Sequence, residues 1–202
     1  MTLTLYDAPP SGNALKVRFA LAELGLEYER VDVPMARPRP DWYLAVNPVG
    51  GIPTLVDGDL VLPESNAILR YLAAREGRDD LYPGALAERG RVDRLLDTWS
   101  TLVRPAAFPL EVACGVFGER DDAAVAAALA GLAPALAAVE RLVADNGTMT
   151  GSFTLADICA APTLYRSAKF ELPIAWQELP RLAAIREAVT TLPSFLAAGP
   201  VR

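Results

Sequence analysis

The sequence predicts an α/β domain with a small mixed sheet, followed by an all-helical domain. Strand-like and helical segments alternate over about the first 80 residues, which is typical of a small α/β unit. Beyond the polar stretch GRDDLYPGALAE (77–88), apolar residues follow helical spacing and no convincing strand is found. We therefore expect domains at 1–77 and 86–202, joined by a linker over 78–85.

The segments of the first domain are defined by their apolar spacing and turn residues. In chain order they are a strand at LTLYD (3–7), a helix over 13–24, a strand at EYERVDV (27–33), a hairpin at IPTLVDGDLVL (52–62) and a helix at ESNAILRYLAARE (64–76). Asp57-Gly58 at the centre of the fourth segment is a strong signal for a tight hairpin. The parallel and antiparallel connections that this order implies give a mixed sheet.

The second half carries four helical patterns. They are a stripe through Val92, Leu95, Leu96, Trp99, Leu102 and Val103, an alanine-rich segment over 122–144, a helix beginning near Thr154, and a last one carrying Leu182, Ile185, Val189 and Leu192. FTLADI (153–158) fits a capping box, in which Thr154 is the N-cap and Asp157 reaches back to its backbone amide. We interpret this motif as structural, so its loss should damage folding rather than chemistry.

Composition excludes several classes of function. The net charge is −6 and no polybasic tail is present, which argues against nucleic acid as a partner. The chain has no histidine and only two cysteines without a CxxC motif, so we expect no metal site and no histidine-based triad. The two cysteines are isolated, and the N-terminal stretch lacks the basic segment followed by an apolar segment that is typical of a signal peptide. Both observations favour a cytoplasmic location. The uncharged run 123–139 contains Pro134 and is interpreted as a soluble helix, not a membrane span.

Three short stretches carry polar groups at places suited to chemistry. Ser11 follows the first strand and opens the first helix, either as a simple N-cap or as a hydroxyl donor to a ligand over the helix N-terminus. Without histidine to activate it, Ser11 is a poor hydrolase nucleophile. Glu64 and Ser65 begin another helix and suit an ammonium and a carboxylate, although this stretch alone favours simple capping by Ser65 with Glu64 complementing the helix dipole.

The other candidate groups lie between the second strand and the hairpin. If the Ile52–Pro53 bond is cis, the backbone of Ile52 points outward and can pair with an extended peptide, whereas the simpler interpretation is a turn into a strand. Arg37 and Arg39 either bind a carboxylate or lie in a solvated loop.

The order of these motifs resembles the cytosolic glutathione transferases, in particular serine-type members of a bacterial kind. A strand–Ser–helix unit, NPVGGIPTL, PESNAILRYL and a helical half with FTLADI together cover essentially the whole chain. The resemblance implies a thioredoxin-like first domain, an all-α second domain, a cytoplasmic homodimer and a role in detoxification. It implies an enzyme that conjugates the thiolate of reduced glutathione, its co-substrate, to a small hydrophobic electrophile.

The resemblance also implies roles for individual residues. Glutathione contacts fall on Arg39, Ile52, Pro53, Glu64 and Ser65. Ser11 would stabilise the thiolate, Asn13 would be an accessory donor, and which of the two is the main partner stays open. Tyr6, late in the first strand, ranks behind Ser11. Phe108 and Tyr165 would line the electrophile site, whereas Trp99 is more readily a core residue.

The sequence departs from the family pattern at Gly51, where many members carry Lys, Arg or Gln. This departure favours one alternative, a non-catalytic protein that binds glutathione or apolar ligands. A second alternative is a glutathione-dependent disulfide or peroxide reductase, in which glutathione supplies every thiol. The loop has no cysteine near Ser11, so the thiol-transfer chemistry of cysteine-type members is not expected.

Overall fold

The computed structural model describes residues 2–200, which form two compact units, residues 2–78 with 193–200 and residues 79–192. The elements are β1 (Leu3–Asp7), α1 (Gly12–Glu23), β2 (Tyr28–Asp32), α2 (Asp41–Leu44), β3 (Thr54–Asp57), β4 (Leu60–Pro63), α3 (Ser65–Arg75), α4 (Leu86–Thr98), α5 (Arg104–Ala113), α6 (Asp122–Glu140), α7 (Leu155–Lys169), α8 (Pro180–Thr190) and α9 (Pro193–Ala197). The last helix, α9, packs against α1 within the first unit, although residues after 192 were expected in the helical domain.

The sheet of the first unit is mixed, as predicted. Its strand order is β2-β1-β3-β4, with β1 parallel to β2 and antiparallel to β3, and β3 antiparallel to β4. The β3–β4 turn contains Gly58 at φ 58°, a left-handed conformation that glycine adopts without steric cost. The register matches Tyr6 with Thr54 and Thr54 with Pro63. The end of β1, the start of β3 and the end of β4 therefore lie at one edge of the sheet.

Apolar side chains of the sheet and of α1, α3 and α9 form the core of the first unit. The fully buried members include Leu5, Phe19, Leu55, Leu69 and Phe195. Phe195 on α9 meets Phe19 on α1 edge to face, with ring centroids 5.2 Å apart. Edge-to-face geometry matches the positive ring edge to the negative ring face, so this pair adds to the burial energy.

A buried ion pair joins the end of β1 to α1. Asp7 is fully buried and accepts hydrogen bonds from Arg18 Nη1 at 3.1 and 2.8 Å. Arg30 on β2 adds a second cation, with Nε 3.0 Å from Asp7 Oδ2, but it is 37% exposed. Arg18 Nε also donates to the carbonyl of Ala198 at 2.9 Å. One carboxylate thus connects the strand to α1 and, through Arg18, to the segment after α9.

The regular α-helical spacing of buried residues in the helical unit is interrupted between α4 and α5. Residues Trp99–Val103 form a π-helical turn, which inserts extra chain into the helix and rotates the residues beyond it. Trp99 and Val103 are fully buried, and burial of Trp99 agrees with its expected core role. Leu102, predicted on the same buried stripe, is 43% exposed. The prediction for Leu102 is wrong because it assumed uninterrupted α-helical spacing.

The alanine-rich helix α6 ends at Glu140 and is shorter than the predicted 122–144, and beyond it the amide of Ala144 bonds to the Met149 carbonyl at 3.3 Å. Asp121 caps its N-terminus by accepting hydrogen bonds from the amides of Ala123 and Ala124. Among residues 2–200, α6 is the one helix long and apolar enough to cross a membrane on length and composition alone. Leu132, Leu136 and Val139 of α6 are buried within the unit.

The predicted capping box at the start of α7 is confirmed. Thr154 is the N-cap, and its backbone amide donates to Asp157 Oδ2 at 2.8 Å. The same carboxylate accepts from the amide of Met149 at 2.8 Å, so it also fixes the preceding loop. Burial raises the pKa of Asp157 from its ordinary value of 3.8 to about 6, against the opposing effect of these hydrogen bonds.

The raised pKa makes folding stability depend on pH. A buried acid with a raised pKa binds its proton more tightly when folded, so its contribution is largest at low pH and is lost as pH rises through about 6. Between pH 5 and pH 7 we expect the free energy of unfolding of the wild type to fall by about 1.3 kcal/mol relative to Asp157→Asn. Urea denaturation of both proteins across this range measures the difference, and equal pH dependence would contradict the prediction.

Candidate active site

Ser11 lies in the turn between β1 and α1 and caps the helix. Its Oγ accepts a hydrogen bond from the amide of Ala14 at 3.2 Å, and its own amide donates to the carbonyl of Ala8 at 2.8 Å. The hydroxyl uses a lone pair for capping, so its proton stays available to donate to a ligand. Ser11 is partly exposed, and Asn13 lies half-buried in the first turn of α1. The first amides of α1 have no intrahelical acceptor, which favours an anion here.

The segment before β3 is held by side chains to which the sequence analysis assigns no role. Gly51 O accepts hydrogen bonds from Tyr43 Oη and from Asn47 Nδ2, the latter at 3.0 Å. Asn47 Nδ2 also donates to Thr54 Oγ1 at 3.1 Å, and Tyr43 Oη lies 2.9 Å from the same oxygen. Tyr43, Asn47 and Thr54 are all buried. Together they fix the backbone on both sides of Ile52 and Pro53.

The Ile52–Pro53 peptide bond is cis, the state that the functional interpretation of this segment requires. Ile52 is partly exposed. It lies two residues before Thr54, the first residue of β3, at the sheet edge where β1 ends. A polar side chain at position 51 would have room, because a Cβ on Gly51 would meet only Asn47 Nδ2, at 3.9 Å.

Glu64 and Ser65 occupy the junction between β4 and α3. Glu64 has φ 72° and ψ 110°, a positive-φ conformation outside the regions that residues with a Cβ ordinarily adopt, which costs of order 1–3 kcal/mol. Such strain persists where the surroundings hold it and is common at functional sites. Ser65, the first residue of α3, is 8% exposed, and Glu64 is exposed. This places a carboxylate, a hydroxyl and the free amides of a helix N-terminus side by side.

The sheet register explains why these distant residues meet. Ser11 follows the end of β1, Ile52 precedes the start of β3, and Glu64 follows the end of β4. Because Tyr6 lies beside Thr54 and Thr54 beside Pro63, all three segments emerge at one sheet edge. Tyr6 packs there with Tyr43, with ring centroids 5.7 Å apart. The edge therefore brings together the Ser11 hydroxyl, the partly exposed Ile52, and the carboxylate and hydroxyl of Glu64 and Ser65.

Arg39 is used within its own loop. Its Nε donates to Gly50 O at 3.0 Å, and its Nη1 donates to Pro34 O at 2.6 Å and to Ala36 O at 3.2 Å. Gly50 has φ +66°, and a Cβ there would lie 3.0 Å from Arg39 Cγ, so glycine permits this close approach. These contacts favour a structural role for Arg39 over the expected binding of a ligand carboxylate.

The two residues expected at the electrophile site belong to the helical unit. Phe108 on α5 is 48% exposed and lies 5.5 Å, centroid to centroid, from Phe117. Tyr165 on α7 is partly exposed. Phe108 thus presents an aromatic surface to solvent, whereas Tyr165 is less exposed and offers a ligand a smaller surface.

Comparison with known proteins places the chain in a family. Residues 1–74 match the family model "Glutathione S-transferase, N-terminal domain", and residues 122–188 match "Glutathione S-transferase, C-terminal domain". Glutathione S-transferase 3 of Zea mays is 39% identical over 205 residues, covering 96% of this chain and 91% of that protein. Maleylacetoacetate isomerase of Pseudomonas aeruginosa is 30% identical over 210 residues, covering 98% and 96%.

A solved structure of similar fold supports the same assignment. The theta class glutathione S-transferase of Xanthomonas axonopodis pv. citri, solved with glutathione bound, is 34% identical and superposes with a TM-score of 0.85. The match covers 100% of this chain and 98% of that one. Both domains, the whole length and the fold agree, and the chain therefore belongs to the cytosolic glutathione transferase superfamily.

Proposed function

We propose that this enzyme conjugates reduced glutathione, its co-substrate, to a small apolar electrophile, and that Ser11 stabilises the attacking thiolate. The observation that carries the proposal is the sheet register, which brings Ser11, Ile52 and Glu64 to one edge. Ser11 lies at the N-terminus of α1, where its proton and the helix dipole both favour a negative sulfur.

The interaction energies that Ser11 and the N-terminus of α1 can supply are large enough to stabilise a thiolate. An ordinary thiol has a pKa of about 8.5, so little of it is ionised at pH 7. Lowering that pKa by about two units requires ~2.7 kcal/mol of preferential stabilisation of the thiolate. One hydrogen bond to a charged group supplies ~1.5–3 kcal/mol. A helix N-terminus adds ~0.3–1 kcal/mol.

The other parts of glutathione are assigned to residues along the same sheet edge by matching their chemical groups. The Ile52 backbone pairs with the extended peptide at its cysteinyl residue, beside Pro53. The Glu64 carboxylate takes the ammonium of the γ-glutamyl head, and Ser65 with the first amides of α3 takes its carboxylate. Asn13 is a second donor near the sulfur. Phe108 and Tyr165 contact the electrophile from the helical unit.

Replacing Ser65 with alanine tests the binding site. Ser65 is the first helical residue rather than the N-cap, so Ser65→Ala removes a ligand donor and leaves the cap position unchanged. Loss of one hydrogen bond to a carboxylate should raise the dissociation constant for reduced glutathione about tenfold or more. Isothermal titration calorimetry measures it. Ser152→Ala, at an exposed serine of the other unit, is the matched control and should bind like the wild type.

Activity assays separate the proposed reaction from its alternatives. Turnover of a chloronitroaromatic supports conjugation, and turnover of hydroxyethyl disulfide alone identifies a reductase. Glutathione binding without either activity identifies a non-catalytic binding protein. We also propose a homodimer on family membership, and a monomer mass by light scattering at micromolar concentration would contradict it.

A further inference from the structure

The loop between α6 and α7, residues 141–153, contains the one Asn-Gly pair of the chain. The asparagines are Asn13, Asn47, Asn66 and Asn146, and of these only Asn146 precedes a glycine. Asn146 is exposed, and the proposed function does not use it. In an Asn-Gly pair the backbone nitrogen of the glycine can attack the side-chain carbonyl carbon of the asparagine, because no Cβ hinders its approach. The loop therefore holds two groups that can react with each other.

The backbone nitrogen of Gly147 is free to act as the nucleophile. Within residues 2–200, the N–H of Gly147 donates no hydrogen bond to a backbone or side-chain acceptor. Gly147 has φ +80°, and a Cβ built there would meet nothing within 4 Å, so the space around this backbone is open. The chain already holds the nitrogen and the side-chain carbon of neighbouring residues close together, which favours ring closure. Attack by this nitrogen requires no backbone hydrogen bond to break.

A neighbouring hydroxyl polarises the carbonyl that is attacked. Thr148 Oγ1 donates to Asn146 Oδ1 at 2.7 Å, and the amide of Gly151 donates to the same Thr148 oxygen at 3.1 Å. Because the Thr148 oxygen accepts from Gly151, its own proton is directed to Asn146. Negative charge develops on Oδ1 when the nitrogen adds to the side-chain carbon, and a donor that is already in place stabilises that charge. The Thr148 hydroxyl therefore lowers the barrier to the attack.

We propose that Asn146 is a site of spontaneous deamidation in the folded protein, assisted by the hydroxyl of Thr148. A base from solvent takes the proton of the Gly147 N–H, and the nitrogen forms a bond to Asn146 Cγ. The bond from Cγ to Nδ2 then breaks, and Nδ2 leaves as ammonia with a proton from solvent. Water opens the resulting succinimide ring at either of its carbonyls, which gives aspartate or isoaspartate. The reaction consumes only water, and glutathione takes no part in it.

The product cannot make the hydrogen bond that holds the loop. Asn146 Nδ2 donates to the carbonyl of Gly151 at 2.7 Å, and a carboxylate in its place has no proton to donate. Two oxygens that repel each other then lie close to Thr154, the N-cap of α7. The same loop supplies the amide of Met149 to the buried carboxylate of Asp157. Deamidation should therefore loosen the loop that leads into the capping box.

The other asparagines lack the features that make Asn146 reactive. Asn47 precedes a proline, whose nitrogen has no hydrogen to lose. Asn13 and Asn66 each precede an alanine, whose Cβ crowds the attacking nitrogen. Both also lie in helices, α1 and α3, which hold the backbone in one conformation. These positions serve as references within the same molecule.

The first test follows the modification itself. Wild-type protein is incubated in the folded state at pH 7 and at pH 9, and its tryptic peptides are analysed by mass spectrometry. The peptide 142–166 should lose the mass of ammonia and gain the mass of water. The change should be faster at pH 9, because the attacking nitrogen must be deprotonated, and the peptides that carry the other asparagines should stay unchanged. A peptide 142–166 of unchanged mass at both pH values would overturn the proposal.

Variants test the nucleophile and the assisting hydroxyl separately. Gly147→Ala places a Cβ beside the nitrogen and should slow the modification about tenfold. Thr148→Val removes the hydroxyl and should slow it about fivefold, less than in a buried site because water partly replaces the donor. Thr148→Ser restores the hydroxyl and should react like the wild type. Equal rates for Thr148→Val and the wild type would overturn the assistance by Thr148.

Asn146→Asp reproduces the aspartate product and tests its effect on the fold. We expect its Tm to lie about 2–4 °C below that of the wild type, since the hydrogen bond to the Gly151 carbonyl is lost. Gln177→Glu makes the same change from amide to acid at an exposed position and should melt like the wild type. An Asn146→Asp protein that melts with the wild type would overturn the link between deamidation and the capping box.

Discussion

Ser11→Ala is expected to raise the pKa of enzyme-bound glutathione by about 1–2 units, since it removes the one hydroxyl at the start of α1. At pH 6.5 this lowers the ionised fraction of the thiol about tenfold. A more basic thiolate is a better nucleophile, but this gain is smaller than the loss in concentration. We therefore expect kcat/KM for a chloronitroaromatic to fall about fivefold or more at that pH, and the difference to narrow above pH 9.

The pH dependence distinguishes this role from a structural one. Ser11 also accepts from the amide of Ala14, so its loss costs the helix about 1 kcal/mol of capping energy. Ser11→Thr retains both the hydroxyl and the cap and is the matched control. The ultraviolet absorbance of the thiolate gives the pKa directly. An equal loss of rate at every pH, with an unchanged thiolate titration, would assign the thiolate contact to another group such as Asn13.

Asp7→Ala is expected to lower the free energy of unfolding by about 3–5 kcal/mol, the largest effect on stability that we predict. Asp7 is fully buried, and Arg18, its hydrogen-bonded partner, is only 4% exposed. Removing the carboxylate leaves that guanidinium buried without its anion. The carbonyl of Ala198 still accepts from Arg18 Nε, but it cannot neutralise the charge. Equilibrium unfolding in urea measures the change.

Arg30→Met is the matched control for this prediction. It removes the other cation that contacts Asp7, but Arg30 is 37% exposed and the buried Arg18–Asp7 pair remains. Exposed ion pairs contribute ~0–1 kcal/mol, so this variant should be almost as stable as the wild type. Similar losses for Asp7→Ala and Arg30→Met would mean that burial of the Arg18 charge is not what makes Asp7 important.

Local patterns were sufficient to predict much of the fold. Asp57-Gly58 marked the hairpin, the Thr154–Asp157 spacing marked the start of α7, and apolar spacing marked α1 and α3. Each of these signals acts over fewer than about five residues, because caps, turns and helical faces are set by near neighbours. The π-helical turn at Trp99–Val103 has no comparable local signature, and the exposure of Leu102 was missed for that reason.

The residues of the candidate site also divide into those with a local sequence signal and those without one. Ser11, Ile52, Glu64 and Ser65 were identified from motifs, and their proposed roles stay predictions. The side chains that hold these segments in place were given no role, because Tyr43 on α2 and Asn47 in NPVGGIPTL have no sequence pattern that separates them from surface residues. The supporting residues are Asp7, Tyr43, Asn47 and Thr54. A search for polar residues next to strand ends would have found Asp7 and Thr54 but not the partners that they have.

By itself the sequence determined the four strands, most of the helices, the capping of α7 and the family, whereas the helices α5 and α9 were not predicted. The tertiary structure decided which side chains meet: that Phe195 on α9 packs on Phe19 of α1, and that Arg18 reaches the carbonyl of Ala198. The physical reason is the separation along the chain over which each kind of interaction acts. Spacing and caps operate between neighbours along the chain, whereas these contacts join residues that only the sheet register and the helix packing bring together.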